Sequence, residues 1–121
     1  MEIRHWHEVP EATLDEAPGV TIRWVIDETV GAPRFAMRVF EVAPEAATPW
    51  HAHWYEQEMF ILEGEGVVRT EEGEAALRPG TVVFVRPYER HEFRNTGAGV
   101  LRFICCIPLT EPRPAPSPDG A

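Results

Sequence analysis

The sequence predicts an all-β fold, either a sandwich or a closed barrel, and three observations carry that expectation. Short runs rich in Val, Ile, Phe and Trp recur along most of the chain, Gly, Pro and Asn separate them at close intervals, and no segment sustains a helical periodicity. A chain of 121 residues buries roughly 60–70% of its unfolded surface, which is enough for one core. Neither an internal repeat nor a helix-turn-helix pattern is present in the sequence.

The strands follow in order. Val20–Ile26 and Phe35–Val42 are β-branched and aromatic, with the turn residues Gly31-Ala32-Pro33 between them. Residues 48–53 form the third expected strand and Gln57–Glu63 the fourth, after which Gly64-Glu65 turns the chain into Gly66–Thr70. Glu72-Gly73 closes a hairpin onto residues 74–77, and Pro79-Gly80 leads into residues 81–85. His91–Asn95 is separated from a last strand at residues 100–107 by Thr96-Gly97-Ala98-Gly99.

The chemistry is concentrated at His51-Ala52-His53. On a strand, residues i and i+2 point to one face, so both imidazoles can be presented to a single point. The amide of Gln57 and a third imidazole from His91 extend this set, and neutral imidazole is the commonest nitrogen donor to transition metals. Gln57 and Glu58 are adjacent and face opposite ways. Parity alone does not choose between them, because Met59 and Ile61 share a face with Gln57 while Phe60 and Leu62 share one with Glu58. Arg38 lies between Ala36 and Phe40 in an apolar strand, where a guanidinium needs an anion: a substrate carboxylate, or a neighbour such as Glu41 or Glu63.

These residues resemble the motifs of the cupins. From His51 onward the chain follows the first cupin motif, G-x5-H-x-H-x3,4-E-x6-G, with three residues between His53 and Gln57 and six between Gln57 and Gly64. The second motif, G-x5-P-x-G-x2-H-x3-N, is met at Gly80, His91 and Asn95. Residues 32–38, 93–97 and 103–108 are similar to small single-domain bacterial cupins that bind manganese, so the resemblance spans residues 20–108. The departures are Glu45 for the first motif's glycine, Gln57 for its glutamate, and Arg86 and Tyr88 for the second motif's proline and glycine, with Pro87 one place late. They imply a differently built turn before His51 and an altered hairpin before His91.

The resemblance implies a jelly-roll β-barrel, with residues 1–108 as the cupin domain and its N-terminal arm. It assigns His51, His53, Gln57 and His91 as metal ligands, with Glu58 as the register-slipped alternative, and Mn(II) first or Fe(II) next as the ion. Cys105 then faces inward, and Met59, Ile61, Phe93, Phe103, Cys105 and Ile107 line a pocket in which Arg38 anchors a small-molecule substrate. The activity implied is that of an oxygen-using, dioxygenase-like oxidoreductase. The alternatives are a non-oxidative isomerase or lyase acting on a sugar-like acid, and a binding protein without turnover.

Composition narrows the partners. Eleven Lys and Arg against twenty Asp and Glu give a net charge of −9, which disfavours nucleic acid, whose binding depends on cationic neutralisation of phosphates. The N-terminus is charged where a signal peptide would be apolar, no apolar run approaches the roughly 20 residues that span a bilayer, and a cytoplasmic protein without membrane contact is expected. Cys105 and Cys106 are neighbours, too close for an ordinary disulfide. Met37 and Val39 point outward as an apolar stripe and Trp50 and Trp54 flank the histidines on the outside, a pattern that suggests a homodimer. His5 and His7 repeat the spacing at a chain end and are not expected to be ligands. Residues 109–121, with proline at every second place from Pro112 to Pro118, are expected to be a disordered tail.

Overall fold

The computed structural model describes residues 1–109, so the proline-rich segment from 110 onward, on which the tail expectation falls, lies outside the described residues. Nine strands, β1 (Ala12–Thr13), β2 (Val20–Ile26), β3 (Phe35–Val42), β4 (Gln57–Glu63), β5 (Gly66–Thr70), β6 (Gly73–Leu77), β7 (Val82–Val85), β8 (His91–Asn95) and β9 (Leu101–Pro108), form two antiparallel sheets. The larger has the order β1-β2-β3-β9-β4-β7 and the smaller β6-β5-β8. The two inner faces enclose a core that includes Ile22, Phe40, Ile61, Phe93, Leu101 and Phe103, as the jelly-roll expectation requires. Among the described residues no helix is long and apolar enough to cross a membrane.

Alternation along β9 is complete, with Leu101, Phe103, Cys105 and Ile107 buried and their neighbours half-buried. Its pairing with both β3 and β4 stacks inward residues into rows. Trp24, Arg38, Cys105 and Met59 form one row across β2, β3, β9 and β4, and Ile22, Phe40, Phe103 and Ile61 form the next. The Phe40 and Phe103 rings stack at 5.1 Å and Phe93 meets Phe103 at 5.5 Å, so the second row is an aromatic and aliphatic floor beneath the first.

One expected strand is absent. Residues 48–53 form no regular strand; the segment is held along the edge of β8 by isolated bridges at Ala47–Arg94 and His51–His91. Pro49 supplies no N–H to a ladder. Backbone bonds to β8 run from Thr48 N to the Phe93 carbonyl at 2.9 Å, between His51 and His91 in both directions at 3.2 and 2.9 Å, and from Asn95 N to the Ala46 carbonyl at 3.0 Å. His51 therefore sits at an anchored edge while His53 lies beyond it, and strand periodicity does not bring the two rings together.

Four tight turns share one plan. At Ala17-Pro18-Gly19-Val20, Ala43-Pro44-Glu45-Ala46, Arg78-Pro79-Gly80-Thr81 and Arg86-Pro87-Tyr88-Glu89, the fourth residue's N–H donates to the first residue's carbonyl at 3.0–3.1 Å. Proline occupies the second place and a positive φ the third, the type II pattern. The third residues have φ of 87°, 69°, 92° and 65°. Glu45 and Tyr88 thus carry the left-handed backbone that a type II turn asks of its third residue, although neither is glycine.

The outward stripe also finds a partner within the chain. Met37 and Val39 pack with Val25 of β2 and with Val9 and Trp6 of the N-terminal arm, and the Trp6 ring has the guanidinium groups of Arg23 at 5.4 Å and Arg102 at 4.9 Å. Within the chain Val39 is therefore buried and Met37 half-buried. Phe60, Leu62, Val82 and Phe84 remain exposed on β4 and β7. Trp50 packs outside beneath Arg69, 4.0 Å away, and Trp54 is exposed.

Glu45→Gly and Tyr88→Gly, both at exposed positions, are expected to raise stability. Relief of about 1–2 kcal/mol of left-handed strain outweighs the roughly 0.5–1 kcal/mol that glycine's extra freedom costs. Gly64→Ala is expected to do the reverse and severely, because its φ is 89° and a Cβ there would lie 2.2 Å from the Val100 carbonyl oxygen. Urea denaturation of the three variants against wild type measures each effect.

Candidate metal centre

The three histidines converge although they come from unlike backbone. His51 enters from the bridged edge segment, His91 from the first residue of β8, and His53 from the irregular stretch that follows His51. Ring centroids are 5.3 Å apart for His51–His53, 4.7 Å for His51–His91 and 5.0 Å for His53–His91. One ligand nitrogen from each lies within 4.8 Å of the others. Gln57, the first residue of β4, completes the group and is 1% exposed, whereas Glu58 faces solvent. The inward register is therefore that of Gln57, Met59 and Ile61, which removes Glu58 from the candidate set.

Backbone carbonyls fix two of the rings. His53 Nδ1 lies 2.8 Å from the Tyr55 carbonyl and His91 Nδ1 lies 2.7 Å from the Glu89 carbonyl. A carbonyl oxygen only accepts, so each Nδ1 carries the proton and each neutral ring presents the Nε2 lone pair inward. The His53 ring also stacks on Tyr55 at 4.0 Å. The Pro87-Tyr88 turn serves both rings, since Tyr88 N–H donates to the His53 carbonyl at 2.7 Å and the next residue holds His91.

The resulting donor set fits a cation. His91 Nε2 and both ring nitrogens of His51 are buried without a hydrogen-bond partner, an expensive condition unless something binds there. His53 Nε2 lies 2.6 Å from Gln57 Oε1, so with Nδ1 protonated two lone pairs face each other across a short gap. A positive centre resolves that conflict, either a proton on the ring or a metal ion between the two. At its other end the Gln57 amide donates from Nε2 to Cys105 Sγ at 2.9 Å.

Arg38 is 1% exposed and lies one residue across the sheet from Cys105. Its Nη2 donates to Cys105 Sγ at 2.9 Å, and its guanidinium lies 5.1 Å from the Trp24 ring centroid and 4.8 Å from that of Phe40. Glu41 and Glu63, the expected protein partners, instead bind Arg102 at 2.7 and 3.0 Å. They project from the other face of the sheet.

Among the expected pocket residues, Met59, Cys105 and Phe93 adjoin the site: Met59 Sδ is 3.9 Å from Gln57 Nε2 and the Phe93 ring is 5.6 Å from that of His91. Ile61, Phe103 and Ile107 are buried in the main core, Ile61 and Phe103 in the floor row. The sequence reading missed Trp24, whose parity with Val20 and Ile22 was a usable signal, and the carbonyls of Tyr55 and Glu89, for which side-chain identity offers none.

Burial is the main cause lowering the His51 pKa from 6.5 to about 3, with His91, His53, Arg38 and Arg90 adding to it. Burial likewise lowers His91 to about 4, against the opposing pull of the Glu89 carbonyl. In the metal-free protein both rings stay neutral while the unfolded chain takes up protons below pH 6.5, so acid favours unfolding. Thermal midpoints of metal-free protein are expected to fall as pH drops from about 6.5 to about 4, and His51→Gln is expected to flatten that dependence.

Comparison with known proteins agrees with this architecture. The cupin domain model matches residues 38–107. A polyketide cyclase, RemF from Streptomyces resistomycificus, is 30% identical with a TM-score of 0.85, covering 95% of this chain and 82% of that one. A predicted oxalate decarboxylase from Thermotoga maritima is 21% identical with a TM-score of 0.79, covering 90% of this chain and all of that one. An uncharacterised protein of Methanocaldococcus jannaschii is 28% identical over 57 residues, a match covering 46% of each chain and so less than half of that relative's length. With the family model spanning more than half its length and both histidine motifs converging inside a two-sheet barrel, the chain belongs to the cupin family.

Proposed function

We propose that this cupin is a metal-dependent enzyme acting on a small anionic, oxygen-rich organic substrate. His51, His53, Gln57 and His91 hold a divalent transition metal, and Arg38 anchors the substrate. The observation that carries the reading is the 2.6 Å approach of His53 Nε2 to Gln57 Oε1 beside three unpartnered buried imidazole nitrogens. A nitrogen-rich set suits Mn, Fe, Co, Ni, Cu or Zn better than Mg or Ca. When bound, the ion supplies Lewis-acid polarisation of a substrate oxygen and, if it is Mn(II) or Fe(II), redox access to dioxygen.

Charge selects the substrate. Three neutral imidazoles and a neutral amide leave the ion's charge uncompensated, and Arg38 adds a buried cation of its own. The interior therefore favours a carboxylate or an enolate over a neutral molecule. Arg38 holds negative charge at the substrate end remote from the metal, while Phe93 and the Phe40–Phe103 floor exclude water and strengthen that attraction. Similarity to a polyketide cyclase favours the non-oxidative chemistry of carbonyl compounds. The oxygen-using reading is the other outcome of the same assay.

Protein purified without chelator or metal-affinity tag is expected to carry near-stoichiometric transition metal by plasma mass spectrometry, and His51→Ala and His91→Ala are expected to lose it. Full retention in both variants would sink the ligand assignment. Arg38→Met is expected to keep the metal and bind acetoacetate about 10–100-fold more weakly by calorimetry, as removal of a charge-assisted hydrogen bond predicts. Equal acetoacetate affinity would remove Arg38 from the substrate site. An oxygen electrode run with the metal-loaded protein separates the two chemistries.

A further inference from the structure

An amide side chain has two ends of almost the same shape and opposite polarity. For Gln57 the choice between them is decisive: Oε1 toward the histidines makes the residue a ligand, while Nε2 in that place makes it a donor that repels a cation. Nothing on the histidine side enforces the useful orientation, because His53 Nε2, as a lone pair, would accept from the amide nitrogen more readily than it meets the amide oxygen. The orienting contact lies behind. Cys105 Sγ accepts from Gln57 Nε2 at 2.9 Å, and Met59 Sδ lies 3.9 Å from the same nitrogen. Cys105 is fully buried, and its sulfur also accepts from Arg38 Nη2 at 2.9 Å.

We propose that Cys105 is a positioning residue whose sulfur sets the polarity of the Gln57 amide, turning Oε1 toward the metal centre, and at the same time seats the Arg38 guanidinium beside it. A sulfur that accepts from both the guanidinium and the amide tells the two ends of the amide apart because its lone pairs attract N–H, while its S–H is only a weak donor to a carbonyl oxygen. The neutral ligand therefore depends on a neighbour in a way that a carboxylate, whose two oxygens are equivalent, does not. Oε1 points toward the histidine cluster, 2.6 Å from His53 Nε2, beside the unpartnered nitrogens of His51 and His91. This inference rests on the metal-centre reading and extends it to the residue behind the ligand.

The test is Co(II) titration of the metal-free, full-length protein, followed by calorimetry and by visible and near-ultraviolet absorption. Cys105→Ala is expected to weaken Co(II) binding about 10–100-fold, the usual effect of losing a group that orients a ligand. Cys105→Ser, which keeps an acceptor, is expected to restore most of it. In the Gln57→Glu background, Cys105→Ala is expected to change affinity within about twofold. An equal loss in both backgrounds would assign the effect to packing and overturn the proposal, as would unchanged affinity in Cys105→Ala alone. A sulfur-to-cobalt charge-transfer band that disappears in Cys105→Ala would make Cys105 a ligand and overturn it too. If wild type binds no Co(II), the metal-centre reading itself fails and the inference with it.

Discussion

The register of β9 between β3 and β4 is the constraint on which the site depends. Because Cys105 pairs with Arg38 on one side and Met59 on the other, an inward guanidinium, an inward thiol and the amide two residues before Met59 share one small volume. A slip of one residue would turn all of them outward and bring Glu58, Cys106 and Met37 inside. The row beneath, Ile22, Phe40, Phe103 and Ile61, holds the register because the same slip would expose four large apolar side chains. Packing of the floor therefore fixes the chemistry above it.

The smaller sheet makes the complementary contribution. His91 is placed by regular pairing of β8 with β5, and the segment carrying His51 is attached to the free edge of β8. Thr48 reinforces the attachment by accepting from Phe93 N–H at 2.9 Å, and Asn95 ties the far end of β8 to the carbonyls of Val42 and Gly99, both at 2.8 Å. His51 and His91 are thus held by backbone pairing on one sheet and His53 by the Tyr88 turn, while Gln57, Cys105 and Arg38 belong to the other sheet. The histidine cluster lies where the two sheets face each other, where burial depresses the basicity of His51 and His91 and favours neutral imidazole.

Strain is concentrated in turns that serve this arrangement. Tyr88 adopts a left-handed conformation in the turn whose backbone meets both His53 and His91, and Glu45 does so where the chain leaves β3 for the histidine segment. In each case the preceding proline sets the first half of the turn and hydrogen bonding closes it, so a residue with a side chain takes the place usually given to glycine.

Much of the architecture was legible in the residues. Alternation in 101–107, β-branched runs at 20–26 and 35–42, and glycine or proline at the turns mark strands by local chemistry that any all-β packing would respect. The spacing of His51, His53, Gln57 and His91 named residues that the fold brings side by side. It did not show how they meet: Pro49 breaks the expected strand, and His53 is aimed by a carbonyl and a stacked tyrosine that no periodicity encodes. Parity left Gln57 and Glu58 equivalent, since apolar residues followed both. That choice, and the pairing of Glu41 and Glu63 with Arg102 in place of Arg38, became definite only when β9 docked between β3 and β4. By itself the sequence determined which residue types are available and which segments extend. Tertiary structure decided which face is inside, because burial is a property of two surfaces in contact and not of either strand alone.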